Sequence, residues 1–172
     1  MSAPRTVATV SEKSNGSSCN RYYYAYLTEQ FEVGQSSKHT PQHITLFPPF
    51  VAYQLDVLEV AEKVASEFDP FHVELGERAM FGPENNIPVA IIKPNESINL
   101  IHRALFQELE RRNISIPPNQ YIGDGYVPHV AIKPNHAKLD ETKPLNIEHI
   151  AVVRKCDDIK TVMAKYALGG GK

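Results

Sequence analysis

The stretch HITLFP, residues 43 to 48, is nearly repeated as HVAIKP at residues 129 to 134. Both run His, aliphatic, small residue, aliphatic, variable residue, Pro. The pattern around each copy is also alike, a helix and a few strands in either half of the chain. That separation is far too long for a solenoid repeat. It implies an internal duplication, with two similar lobes that must bring two like strands together.

The elements follow from periodicity. RYYYAYLT (21–28) reads as an aromatic-rich strand, and HITLF (43–47) as a second strand closed by Pro48 and Pro49. From Tyr53 to Phe68, Leu55, Leu58, Ala61, Val64, Ala65 and Phe68 recur at helical spacing. FHVEL (71–75) and IPVAIIK (87–93) read as strands around the turn-prone GPENN. Asn95 or Ser97 can cap a second helix reaching about Arg112, with Ile98, Ile101, Leu105 and Leu109 on its buried face. YVPHVAIK (126–133) and IEHIAVV (147–153) are further strands, while KTVMAKYAL (160–168) fits either a strand or a helix. Residues 1–20 are expected to form a disordered tail, residues 21–168 one α+β domain, and residues 169–172 a flexible end.

At 172 residues the chain can hold one domain with a proper core or two small lobes sharing one. A net charge of −2 supplies no basic field for duplex DNA, although a local cleft can still hold a small anion. The two cysteines, Cys19 and Cys156, have no metal-site or redox-motif spacing and read as unpaired thiols. No apolar run approaches the roughly 18 residues of a membrane span. The first residues do not read as a signal peptide, so the expected compartment is the cytoplasm.

In a strand, residues i, i+2 and i+4 share a face. His43, Thr45 and Phe47 then point one way, with Ile44 and Leu46 toward the core; His129, Ala131 and Lys133 likewise oppose Val130 and Ile132. A pseudo-twofold between the lobes would line one cleft with both polar faces. Two imidazoles there suit general acid–base work, a hydroxyl two residues after a histidine can hold an anionic oxygen, and Lys133 can add positive charge. A lone His-x-Thr in a strand is usually structural; a matched pair is harder to explain that way.

The motifs QHITLFPPF and YVPHVAIKP, with ELGERAMFGPENNIPVAIIKPNESINLIHRALFQEL between them, resemble the 2H phosphoesterase superfamily, which includes LigT-like (2′-5′ RNA ligase-like) proteins and cyclic nucleotide phosphodiesterases. The likeness covers residues 21 to 168. It implies a bilobal α+β fold, two pseudo-symmetric lobes of antiparallel sheet with helices outside and a central cleft. It further implies metal-independent chemistry, without cofactor, on a 2′-linked or cyclic phosphodiester. His43 and His129 would be the acid–base pair and Thr45 a phosphate ligand. By the family's Arg-x-Phe-x-Ala pattern, Arg21 and Tyr23 would face the cleft, whereas hydrophobicity alone sends Tyr23, Ala25 and Leu27 inward. Phe47 is a further candidate cleft wall. His39, His72, His102, His136 and His149 read as surface or satisfied core residues, with no metal site among them.

Ala131 departs from the pattern, since Thr or Ser is expected there. The resemblance implies a nucleotide, cyclic oligonucleotide or short RNA as partner, with no duplex DNA and no membrane expected, the protein acting as a monomer. The alternatives are a catalytically degraded 2H domain that binds nucleotides or RNA without turnover, and a small interaction protein with structural histidines.

Overall fold

The computed structural model describes residues 6–7 and 19–169. The expected disorder of residues 1–20 falls mostly outside them. Within that span Thr6–Val7 forms a short strand, β1. Strand β2 is Arg21–Leu27, β3 Ser36–Ser37, β4 His43–Val51, β5 Phe71–Val73, β6 Leu75–Phe81, β7 Ile87–Ile92, β8 His129–Ala131, β9 Leu145–Ile147, β10 His149–Cys156 and β11 Ile159–Ala167. Helices α1, Gln54–Glu67, and α2, Glu96–Arg111, follow β4 and β7. A short 3-10 turn spans Gly123–Gly125. Among the described residues nine strands make one antiparallel sheet, in the order β1-β11-β10-β2-β4-β8-β7-β6 with β3 also on β11; β5 and β9 pair separately. This is the α+β, largely antiparallel architecture that the duplicated motifs imply, and it does not close into a barrel.

The sheet is buried on both faces near β2. Tyr22 and Tyr24 join the main core beneath α1 and α2, with Ile44, Leu46, Val60, Val64, Ile101 and Leu105. Tyr24 Oη donates to the carbonyl of Val57, 2.7 Å away. On the opposite face Tyr23, Ala25 and Leu27 pack with Ala151, Val153 and Val162, under Phe31 and Val33. Tyr23, Ala25 and Leu27 are therefore buried, as hydrophobicity alone implies, and the face on which they are buried is the one that carries His43.

Several expectations are corrected. The strand from His43 does not end at Pro48 but runs through Val51. Its pairing with β2 passes from Phe47 to Phe50, so neither proline is asked for a ladder N–H. In α1 the inward stripe is Val57, Val60, Ala61, Val64 and Ala65, while Leu55 is 68% exposed. Strand β6, Leu75–Phe81, mixes apolar and polar residues without the alternation that would announce it. The ambiguous segment is strand β11. Cys19 and Cys156 are joined as a disulfide, because pairing of Lys155 with Arg21 sets the two cysteines side by side across 137 residues of chain. Gly169, assigned to a flexible end, donates its N–H to the carbonyl of Ala65. Glu108 is buried on α2, held well below the usual carboxylate range at about 2 chiefly by Arg111, with Arg112 and Lys63 beside it. No helix among the described residues is long and apolar enough to cross a membrane.

His149 opens β10 as a satisfied interior histidine. Its Nε2 accepts the N–H of Leu27 at 3.1 Å, and its ring lies 4.7 Å from that of Tyr26. Burial, then the Lys165 charge, pushes its pKa down to about 4. The unfolded chain therefore binds this proton first as pH falls below about 6.5. Stability is fully present above that value and declines toward pH 4, by at most about 1.4 kcal/mol per pH unit from this group. His149→Gln keeps an acceptor for Leu27 but does not titrate. Denaturant midpoints measured from pH 7 to 4 should fall less steeply in that variant; an unchanged slope would exclude His149 from the acid response.

Candidate active site

The site is organised by one cross-strand pair. Ile44 and Val130, both without exposed surface, are Cα partners between β4 and β8. Each is the middle residue of its motif. In an antiparallel ladder that register sets Thr45 beside His129 and Ala131 beside His43, all four on the face opposite the buried Ile44 and Val130. A local twofold axis through the pair exchanges His43 with His129 and Thr45 with Ala131. The histidines are diagonal neighbours, a placement with backbone separation of roughly 7–8 Å.

The two rings are held alike. His43 Nδ1 lies 2.6 Å from the carbonyl of Pro41, and His129 Nδ1 lies 2.8 Å from that of Val127. A carbonyl can only accept, so each Nδ1 carries a proton and each Nε2 is left for other chemistry. Thr45 Oγ1 is 3.1 Å from His43 Nε2 and donates to it. Burial pushes the pKa of His43 down to about 4. The Pro41 hydrogen bond acts against this, and the nearby His129, His136 and Lys133 charges add to it. His43 is thus unprotonated at neutral pH. Behind it, buried Gln42 donates to the carbonyl of Ala131 and accepts from the hydroxyl of Thr28. His136 sets its two ring nitrogens against the carbonyls of Ala131 and Thr40.

A cleft of about 720 Å³ opens over this face. Thr45, His129, Ala131 and Lys133 line it, with Pro48 and Pro49 on one wall and Met80, Phe81, Gln120, Tyr121 and Tyr126 on others. Phe81 meets His129 edge-on, ring centres 4.8 Å apart. Tyr126 Oη donates to the carbonyl of Thr45 at 2.7 Å, and its ring stacks on His102 at 3.9 Å. His102 in turn donates from Nδ1 to the carbonyl of Leu46 and accepts the Gly123 N–H at Nε2. This neutral ring therefore ties α2, β4 and the 3-10 turn together, and burial, the largest influence on it, lowers its pKa. Gly125 is required in that turn: a Cβ there would sit 1.8 Å from the Gln120 carbonyl oxygen.

The fold thus brings His43, Thr45 and His129 together. Lys133 is exposed at the cleft and close enough to His43 to affect its charge. Tyr23 lies against His43, ring centres 5.3 Å apart, yet it is 4% exposed and roofed by Phe31 and Val33. It backs the histidine and offers no open surface, which corrects the expectation that it faces the cleft. Arg21 is exposed on the same face but pairs with Val51, outside the cleft. Phe47 is a second correction: it has no exposed surface and packs on Phe50, Phe106 and His102. Irregular pairing between β2 and β4 breaks the alternation after Leu46, so Phe47 follows it into the core. Phe81, Tyr121, Tyr126 and His102 were not legible as cleft or wall residues, because their roles come from tertiary packing; the glycines at 123 and 125 were the only local hint of a tight wall. Among the described residues no group of three or more His, Cys, Asp or Glu could hold a metal ion. Phe47→Ala should cost about 3–5 kcal/mol in denaturant unfolding, a loss that a cleft-wall phenylalanine would not show.

The largely antiparallel sheet, with one histidine motif from each half paired across β4 and β8, defines the class. A family model described as the 2′-5′ RNA ligase superfamily matches residues 24–151, and the chain belongs to that family. It is 28% identical over 95 residues to "Putative phosphoesterase OB1230" of Oceanobacillus iheyensis, an alignment covering 54% of this chain and 51% of that protein. The chain spans about half the length of the curated relatives it matches. Among solved structures, TT0787 of Thermus thermophilus superposes with a TM-score of 0.58 at 19% identity, over 88% of this chain and 100% of that one. Escherichia coli LigT complexed with 3′-AMP superposes with a TM-score of 0.56 at 12% identity, over 87% and 98%. At these identities the structural likeness speaks for the fold.

Proposed function

We propose that the protein is a phosphodiesterase whose two histidines act as general acid and base on a 2′-linked or cyclic phosphodiester of a nucleotide or RNA end. The observation that carries this reading is the Ile44–Val130 register, which supports a nearly symmetric pair of imidazoles, each held at Nδ1 by a backbone carbonyl, with Nε2 of His43 bonded only to the rotatable Thr45 hydroxyl. Family membership and the structure of LigT complexed with 3′-AMP agree with a nucleotide ligand.

His43 enters unprotonated and takes the proton of the attacking water or ribose 2′-hydroxyl at Nε2. His129, entering the reaction as the imidazolium with both ring nitrogens protonated, delivers its Nε2 proton to the departing alkoxide and keeps Nδ1–H on the Val127 carbonyl. Each transfer is worth ~10²–10⁴-fold. Thr45 turns its hydroxyl from His43 to a phosphoryl oxygen as charge builds there. The matching place beside His43 is Ala131, and one missing donor of this kind costs roughly 2.7–4 kcal/mol. Lys133, exposed at the same cleft, is the cation that offsets it.

Turnover of 2′,3′-cyclic phosphates, 2′-5′ oligonucleotides and cyclic oligonucleotides should persist in chelator and disappear in both His43→Ala and His129→Ala. In the wild type the acid limb of kcat/KM should fall as pH drops through about 4, where His43 takes up its proton. Lys133→Ala should lower turnover by about 10²–10³-fold; an intact rate removes the lysine from the reaction. Ala131 favours a second reading, a degraded site that binds nucleotides without turnover. Binding with no wild-type turnover, and activity gained in Ala131→Thr, would decide for it.

A further inference from the structure

One transverse row of the sheet carries three adjacent cations. Arg21 on β2 is the Cα partner of Lys155 on β10, and Lys155 is the partner of Lys160 on β11. Directly opposed residues share a face, with Cβ atoms ~4.5–5.5 Å apart, and like charges so placed are destabilising. Lys160 Nζ reaches only the backbone carbonyls of Lys38 and Asp158. Among the described residues no ion pair joins any of the three to a carboxylate, although Asp157 and Asp158 form the adjoining turn. Lys155 is pushed below its usual value by burial first, then by Arg21 and Lys160.

The row lies on the histidine face. Ala25, four residues from Arg21 on β2, is the Cα partner of Thr45, which puts Arg21 about 13 Å along the strand from the site at ~3.3 Å per residue. Pro49 lines the cleft, and two residues on, Val51 is 55% exposed opposite Arg21. Tyr53, two residues further, is 81% exposed. Three cations in a row without a carboxylate partner suit the regularly spaced phosphates of a single strand.

We propose that Arg21, Lys155 and Lys160 form a second anion subsite that holds the phosphates of a single-stranded oligonucleotide whose reacting linkage lies at His43 and His129. The proposal rests on the reading of the histidine pair as the reacting centre, and it makes the substrate an oligonucleotide several units long.

The test uses the full chain carrying His43→Ala and His129→Ala, so that bound probe survives. Labelled single-stranded RNA of two and of six nucleotides is titrated between 50 and 200 mM salt. The six-nucleotide probe should bind more tightly than the two-nucleotide probe. Adding Lys155→Gln and Lys160→Gln should abolish that preference and flatten the slope of log affinity against log salt by about 1.4, at ~0.7 per phosphate contact. Lys155→Arg with Lys160→Arg should retain both, and the Gln variants should melt no lower than their parent, since they remove repulsion. Equal affinity for both lengths, an unchanged salt slope in the Gln variant, or polyglutamate bound as tightly as the six-nucleotide RNA would overturn the subsite. Turnover of a 2′,3′-cyclic mononucleotide by the wild type tests the histidine reading separately. Length-dependent binding without such turnover supports the subsite and sinks catalysis; turnover without length dependence does the reverse.

Discussion

The pairing of Ile44 with Val130 is the constraint on which the rest depends. Both side chains have no exposed surface, and each sits in the middle of a three-residue motif whose flanking positions face the cleft. Slipping the register by one residue would turn an imidazole into the core and an isoleucine or valine into water. Burial of roughly 1.5–3 kcal/mol per aliphatic side chain therefore fixes the geometry of two polar rings that contribute little to stability themselves. Apolar packing sets the chemistry because strand alternation leaves the polar residues no independent choice of face.

Around that pair, backbone carbonyls and one buried histidine do the orienting. Pro41 and Val127 fix the proton on Nδ1 of each cleft histidine. His102, neutral and satisfied at both nitrogens, stacks against Tyr126, whose hydroxyl bonds to Thr45 in the middle of the site. The wall loop is thus tied to the strand it faces by a ring pair and three hydrogen bonds. A wall held in this way can keep its distance from the histidines without contributing a charged group to the cleft.

What could be read from the sequence was whatever repeats or alternates locally. The duplicated motif located His43, Thr45 and His129, and the helical stripe located α2 to within a residue or so of Glu96–Arg111. The losses share a cause. Phe47 obeys alternation only until the irregular pairing after Leu46, and that irregularity is set by β2, not by its own neighbours in sequence. Strand β6 is recruited by β7 and shows no pattern of its own. The Cys19–Cys156 bond depends on strands far apart in the chain, as does the stacking of Tyr126 on His102.

The local twofold also explains why a single substitution matters. Under it Thr45 and Ala131 are equivalent positions, each beside the histidine of the other motif. A symmetric site would offer two hydroxyls to a phosphoryl group that itself has two non-bridging oxygens. With Ala131 the supply is asymmetric: the single hydroxyl, that of Thr45, bonds to His43 Nε2, and the Ala131 position is open near Lys133. The depressed pKa of His43 belongs to the same asymmetry, since burial and surrounding positive charge keep that ring neutral. One half of the duplicated motif has therefore retained a neutral donor while the other presents charge. Under the proposed reaction, a phosphoryl group bound between them would meet a hydrogen bond from Thr45 and the charge of Lys133, a difference that would separate two histidines the backbone alone makes equivalent.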